Sequence, residues 1–389
     1  LGFEWMSRQK TSIRSAYPKF TLFEIPVGEV VMRSEEGSVS DLTISLFNRG
    51  DDGDMAAASF NERFDKFERA LTKALGEKPR KKNRDGVTEV RGLLWVTDTQ
   101  AFLLESSVNK DGDPEFMRLL AKSPKDSRSG SKMKNRSALR RNVIKKDNGD
   151  VYVEGVPMVD QGQKGYCAVA SAQRIFNYYG NGIDMHELAQ AAETGPDSGT
   201  SLPEMIASLK KAMSLVRSRV LITYTKYDGI DSEERDWDDY ERFLKDFSRD
   251  WKKYNRECKK QGFTDKMVPM RESNGIDLPS GSITLEDINL DIYRQINMEK
   301  NEYRTFMSKI KQYVDQGIPV AWALELGMFK EEGLPQTGGG HMRLIIGYNE
   351  KTDEIIYSDS WGQGHDYKKM PSGNAFCMTT ATMTFVPNK

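Results

Sequence analysis

Polar and apolar positions alternate with a period of two over Phe20–Ile25, Leu42–Phe47, Gly92–Val96 and Ala101–Ser106, which predicts β-strands. The turn-prone Thr97-Asp98-Thr99-Gln100 joins the last two as a hairpin. Between them the period changes. Phe60, Phe64, Phe67, Leu71 and Leu75 share one face of a predicted helix, Ser59 with Glu62 makes a capping-box pattern, and Gly76 ends it. Residues 1–121 therefore read as a small α+β domain of unknown role, with no catalytic constellation in it.

Beyond Val151 helical periods come first: Cys167–Tyr179 stopped by Gly180, then "IDMHELAQAAETG", then "SLPEMIASLKKAM" with Ser201 as cap and Pro203 in the first turn. In a helical insertion at about 223–300, Trp237, Tyr240, Phe243, Leu244, Phe247, Trp251, Tyr254 and Cys258 recur at three- and four-residue steps. Strand patterns close the chain at 319–326, 344–349, 354–359 and 378–386. Residues 149–389 thus read as a second α+β domain, a helical half followed by an antiparallel sheet.

Charge changes the picture between these parts. Residues 122–148 hold ten Lys or Arg up to position 146 against one acid, Asp126, which predicts a basic flexible linker. Proteolytic self-processing or an anionic contact are its functional readings; a solvated connector is the simpler one. Over the whole chain 57 Lys and Arg balance 58 Asp and Glu, so no nucleic-acid partner is expected, and the aromatic stripe at 237–258 reads as a packed face because acids flank it as densely as bases. No apolar run approaches the roughly 18 residues of a membrane span. The start at Leu1, without methionine, gives the expectation of a trimmed, exported bacterial chain.

The three cysteines, Cys167, Cys258 and Cys377, form no disulfide framework and have no zinc-like spacing with histidine, so neither metal nor cofactor is expected. Cys258 belongs to the apolar stripe and Cys377 adjoins a strand; both read as packing residues. Cys167 differs, because "QGQKGYCAVAS" places it at the start of a helix behind a glycine-rich turn. A helix N-terminus and an adjacent imidazolium are what favour a nucleophilic thiolate. His341 follows "TGGG" at the head of a strand, and pairing of 342–348 with 354–358 sets it opposite roughly 359–361, where Asp359 can hold its ring. Gln161, or Gln163 in its place, can donate an amide N–H to an oxyanion together with the Cys167 backbone N–H. His186 reads as a surface or packing residue, and His365 as a cleft residue ranked behind His341.

"QGQKGYCAVAS", "GGGHMRLIIGY" and "SDSWGQG" together resemble the cysteine, histidine and Asn-Ser-Trp-Gly segments of papain-like cysteine peptidases, and the helical stretch 178–211 is similar to the bacteriocin-processing branch, family thirty-nine and its relatives. The resemblance covers roughly 151–389 apart from the insertion. It implies a papain-like fold acting on a peptide or protein substrate, with Cys167 as nucleophile, His341 as base, Asp359 as orienting group, Gln161 as oxyanion donor and Trp361 shielding the His341–Asp359 bond. Two positions depart from papain: Asp359 stands where asparagine is usual, although aspartate is usual in the family-thirty-nine-like branch, and Ala168 stands where tryptophan follows the cysteine. The same acyl-enzyme also admits acyl transfer or deamidation, and a peptidase-like binding module without activity is the alternative of another class. Oligomeric state is left open by the sequence.

Overall fold

The computed structural model describes residues 2–15, 20–35, 38–85, 88–123, 134–161, 166–180, 185–191, 206–207, 210, 218–226, 237–334 and 338–387. The first 122 residues form strands β1 (Phe3–Trp5), β2 (Ser12–Ser15), β3 (Phe20–Leu22), β4 (Ile25–Val27), β5 (Val30–Glu35), β6 (Ser38–Asn48), β7 (Arg80–Lys81), β8 (Arg84–Asp85), β9 (Glu89–Val96), β10 (Ala101–Val108) and β11 (Pro114–Lys122). All but β3 and β4 belong to one antiparallel sheet in the order β1-β2-β5-β6-β11-β10-β9-β7, with β8 on β9. The predicted hairpin is present, Ala101 lying opposite Val96. After a short α1 (Arg49–Asp52), the long α2 (Ala57–Leu75) lays Phe60, Phe64, Phe67 and Leu71 on this sheet, over Phe47, Trp95 and Leu104. It starts before the predicted cap: Ala56 is the N-cap and no side chain caps it, since the alanine run 56–58 propagates helix ahead of Ser59. Gly76 ends it at φ 69°, as expected.

The second part contains α3 (Arg136–Arg140), β12 (Val143–Lys145), β13 (Asp150–Val153), α4 (Cys167–Tyr178), α5 (Met185–Ala191), β14 (Ser218–Thr225), α6 (Trp237–Gln261), β15 (Met270–Ser273), β16 (Ile276–Pro279), α7 (Leu290–Met298), α8 (Asn301–Val314), β17 (Val320–Leu326), β18 (Gly339–Asn349), β19 (Glu354–Ser358), β20 (Lys368–Pro371), α9 (Ser372–Met378) and β21 (Thr379–Pro387). Its antiparallel sheet runs β12-β13-β18-β17-β21-β14, with β19 and β20 added on β18. Helices α4 and α8 pack on it, burying Ala170, Ile175, Phe176, Phe306 and Ile310 against Trp322, Leu344 and Phe385. The molecule is thus a mixed fold of helices and antiparallel sheets, as the sequence predicted.

Three expectations need adjustment. Residues 136–145, read as linker, form α3 and β12, because Leu139, Val143 and Ile144 give the basic stretch something to bury; Leu139 is fully enclosed and Val143 pairs with Val153. The other linker residues 124–133 lie outside the described ones, as do Gln163 and most of "SLPEMIASLKKAM". The insertion begins after Thr225, since β14 pairs with β21, and it contains the β15–β16 hairpin as well as helix. There Tyr254 and Cys258 of α6 close a small separate core with Val268, Ile292 and Ile296, so that face of the aromatic stripe is packed. Cys377 lies in α9, two residues before β21 begins, and is buried there.

Candidate active site

Cys167 is the first residue of α4, and Tyr166 before it caps the helix through its backbone with no side-chain bond. The first amide N–H groups of any helix lack partners inside it, and the dipole favours negative charge there. From Ala168 to Phe176 nearly every residue of α4 is buried, so the helix that carries the sulfur is fixed on the sheet. Cys167 is half-buried, whereas the other two thiols are enclosed. Burial pushes the Cys258 thiol up and drives Cys377 to about 12, which leaves both protonated and inert.

His341 lies on β18 opposite Leu324 of β17, and β19 lies on the other side of β18. Asp359 follows β19 directly, and its Oδ1 lies 2.7 Å from His341 Nε2. Cys167 hydrogen-bonds the same imidazole. With Nε2 occupied by Asp359, the nitrogen that remains for sulfur is Nδ1. Burial alone would lower the imidazolium pKa, but the hydrogen bonds to Asp359 and Cys167 outweigh it and raise it to about 9. Burial would likewise raise the Asp359 carboxyl, yet the bond to His341 and the charges of His341 and Arg343 hold it below its ordinary value. Trp361 stacks on the His341 ring at 4.6 Å between centroids, the covering position expected of it.

Gln161 is buried and anchored to the residue after Asp359: its backbone N–H donates to Ser360 O at 2.9 Å, and its Oε1 accepts from Ser360 Oγ at 2.5 Å. Holding the amide by its oxygen turns the N–H₂ end away from Ser360. His365 stays one layer back. It packs edge-on against Trp361 at 5.8 Å, and its backbone oxygen accepts from Asp359 N–H at 2.7 Å. His186 lies elsewhere, with Nδ1 at 2.6 Å from Asn48 Nδ2 of the amino-terminal sheet.

Two arginines at this site escape a motif search. Arg174 of α4 is wholly buried and donates to Pro157 O at 2.8 Å, to Asp359 O at 2.9 Å and to Ser358 Oγ, tying the helix that carries Cys167 to the end of β19 and Asp359 after it. Arg343 is also wholly buried; its Nε donates to Asp359 Oδ2 at 2.7 Å and its Nη1 to Glu331 at 2.9 and 3.0 Å. The strand period was a usable signal for the second, since positions 341 and 343 share a face.

The first residues of the chain's second part also lean on the amino-terminal sheet. Arg14 Nη1 lies 2.5 Å from Asp160 Oδ2, and the hydroxyl of Tyr166 faces Gly50 so closely that a Cβ there would stand 2.6 Å from it. Further along, Glu187 of α5 accepts from Arg84 twice at 2.8 Å and from Arg118 at 2.5 Å, while Arg118 also donates to Glu105 at 2.6 Å.

Among the described residues no group of three or more His, Cys, Asp or Glu is arranged to hold a metal, and no helix is long and apolar enough to cross a membrane. The sequence model of the Peptidase_C39 like family matches residues 153–382, more than half of the chain, and the chain belongs to that family. Both the family and the mixed architecture agree with the cysteine-peptidase resemblance read from the sequence. No curated protein matches the chain. Solved structures that match include xylellain, a cysteine protease from Xylella fastidiosa, with 14% identity and a TM-score of 0.30 over 68% of this chain and 93% of that one.

Proposed function

We propose that the protein is a cysteine peptidase that hydrolyses peptide bonds through Cys167, His341 and Asp359. The observation that carries this reading is the buried imidazole of His341, hydrogen-bonded to Cys167 and at 2.7 Å to Asp359. The imidazole, kept protonated up to about pH 9, is the acid beside the sulfur. The thiolate attacks the peptide carbonyl carbon and the carbonyl electrons move onto oxygen. That oxyanion meets the Cys167 backbone N–H at the helix tip and the Gln161 amide. His341 gives its proton to the leaving amine as the C–N bond breaks, and later takes one from the water that releases the acyl group.

Replacing Cys167 by Ala is expected to abolish peptide cleavage while leaving the circular-dichroism spectrum and melting temperature of the parent. Mass analysis of the products distinguishes hydrolysis, which leaves a free carboxyl group, from transfer to a second amine or from glutamine deamidation. Retained cleavage by Cys167→Ala would refute the assignment.

A further inference from the structure

The carboxylate of Asp359 bonds two cationic side chains, and the second has no part in the mechanism above. Its Oδ1 takes His341 Nε2, and its Oδ2 takes Arg343 Nε, each at 2.7 Å. Arg343 is in turn held by Glu331, which also accepts from the Tyr357 hydroxyl. The guanidinium lies 4.8 Å from the Tyr357 ring centre and 6.0 Å from that of Trp361, the ring stacked on His341. Arg343 and Asp359 are both wholly buried, and only the edge of the Glu331 side chain reaches solvent. A charge this deep persists only when paired, so the order His341–Asp359–Arg343–Glu331 alternates in sign for a physical reason.

We propose that Arg343 is a positioning residue of the catalytic centre: it fixes the Asp359 carboxylate and, with Glu331 as counterweight, sets how strongly that carboxylate holds the proton of His341. The proposal rests on the triad reading. It also accounts for aspartate at 359. An asparagine offers one oxygen and one N–H₂ group, so with its oxygen on His341 it would turn N–H towards the N–H of Arg343. Only a carboxylate accepts from both. Arg343 then offsets part of the carboxylate's pull on the imidazolium, since a cation near an acid–base pair acts against the second positive charge.

Other titratable or charged groups face this layer: Arg343 disfavours the charged form of His365 and Glu331 accepts from the Tyr357 hydroxyl, so both respond to changes at 343 or 331, and His341→Ala separates their titration from that of the imidazolium of His341. Arg174 reaches Asp359 through its backbone oxygen from α4, and His365 lies against Trp361 from the following turn.

The test is the rate of Cys167 alkylation by iodoacetamide against pH in the full chain, read at the alkaline limb where the imidazolium loses its proton. Arg343→Met removes the offsetting cation and is expected to move that limb up, on the order of one pH unit. Glu331→Gln keeps the shape but frees Arg343 from its counter-charge, and is expected to move the limb down. Opposite shifts are not what loss of packing produces, and Glu331→Gln keeps the hypothesis testable if Arg343→Met does not fold. A second signature is rescue: adding Arg343→Met to Asp359→Asn is expected to recover part of the reactivity lost by Asp359→Asn alone. If the parent has an alkaline limb that His341→Ala abolishes, but both variants leave it in place, the role of Arg343 is wrong. If the parent has no such limb, the triad reading fails instead.

Discussion

At His341 burial and hydrogen bonding act in opposite directions, and hydrogen bonding wins. A group whose pKa in the folded chain exceeds its unfolded value stabilises the fold fully below the unfolded value, and that contribution disappears as pH rises through the folded one. For His341 the window runs from the ordinary 6.5 up to about 9. Urea unfolding is therefore expected to show stability falling between these limits, and Asp359→Asn to flatten the fall. Asp359, with its carboxyl held low, contributes in the opposite sense: its share is present above the ordinary carboxyl value of 3.8 and is lost as acid is added. At this scale the sequence was legible where chemistry follows a short motif. Cys167, Gln161, His341, Asp359 and Trp361 are recognisable from their neighbours, and the structure brings Cys167 and Asp359 to the His341 ring. Arg343 and Arg174 were not recognised: the strand period puts 343 on the face of His341 but does not name its partner, and an arginine within "ASAQRIF" is distinguished only by what it meets in space.

Among the elements, α4 is bound to the Ser358–Asp359 segment by two of the three acceptors of Arg174, the third being Pro157 O. Arg174→Met keeps most of the volume but leaves those acceptors buried without a donor. Each orphan costs about 1–3 kcal/mol, so the three together are expected to cost at least about 3 kcal/mol in denaturant unfolding. Thiol reactivity is expected to fall in the same variant, since the helix and Asp359 lose their common anchor. A purely local role for Arg174 would lower stability and spare the thiol. Hairpins and amphipathic helices were readable here because each turns on contacts between neighbours in the chain, as with α2 over its sheet and the β9–β10 turn. The α3–β12 segment was misread because basic composition suggests solvent, whereas three apolar side chains decided its place. Nor does any local pattern announce that β14 joins β21, a pairing across most of the second part of the chain.

For the molecule as a whole, helix α5 is joined to the amino-terminal sheet through a buried carboxylate. The Glu187 side chain is 1% exposed and holds Arg84 and Arg118 from the amino-terminal sheet. Glu187→Ala leaves Arg84 and Arg118 to share Glu105 alone, and a loss of about 1–3 kcal/mol is expected, seen in calorimetry as an earlier transition of the amino-terminal part. An unchanged melting profile would mean that the two parts do not depend on this contact. At the other end of the same face, Gly50→Ala places a methyl group 2.6 Å from the Tyr166 hydroxyl. That variant touches none of the proposed triad, yet it is expected to slow Cys167 alkylation severalfold, because Tyr166 precedes the sulfur directly. Asp160 is held by Arg14 and Tyr166 stands beside Gly50, so the amino-terminal third behaves as the second jaw of a vice around the thiol of Cys167. Stripping it off would slacken the thiol's seat instead of uncovering a finished enzyme.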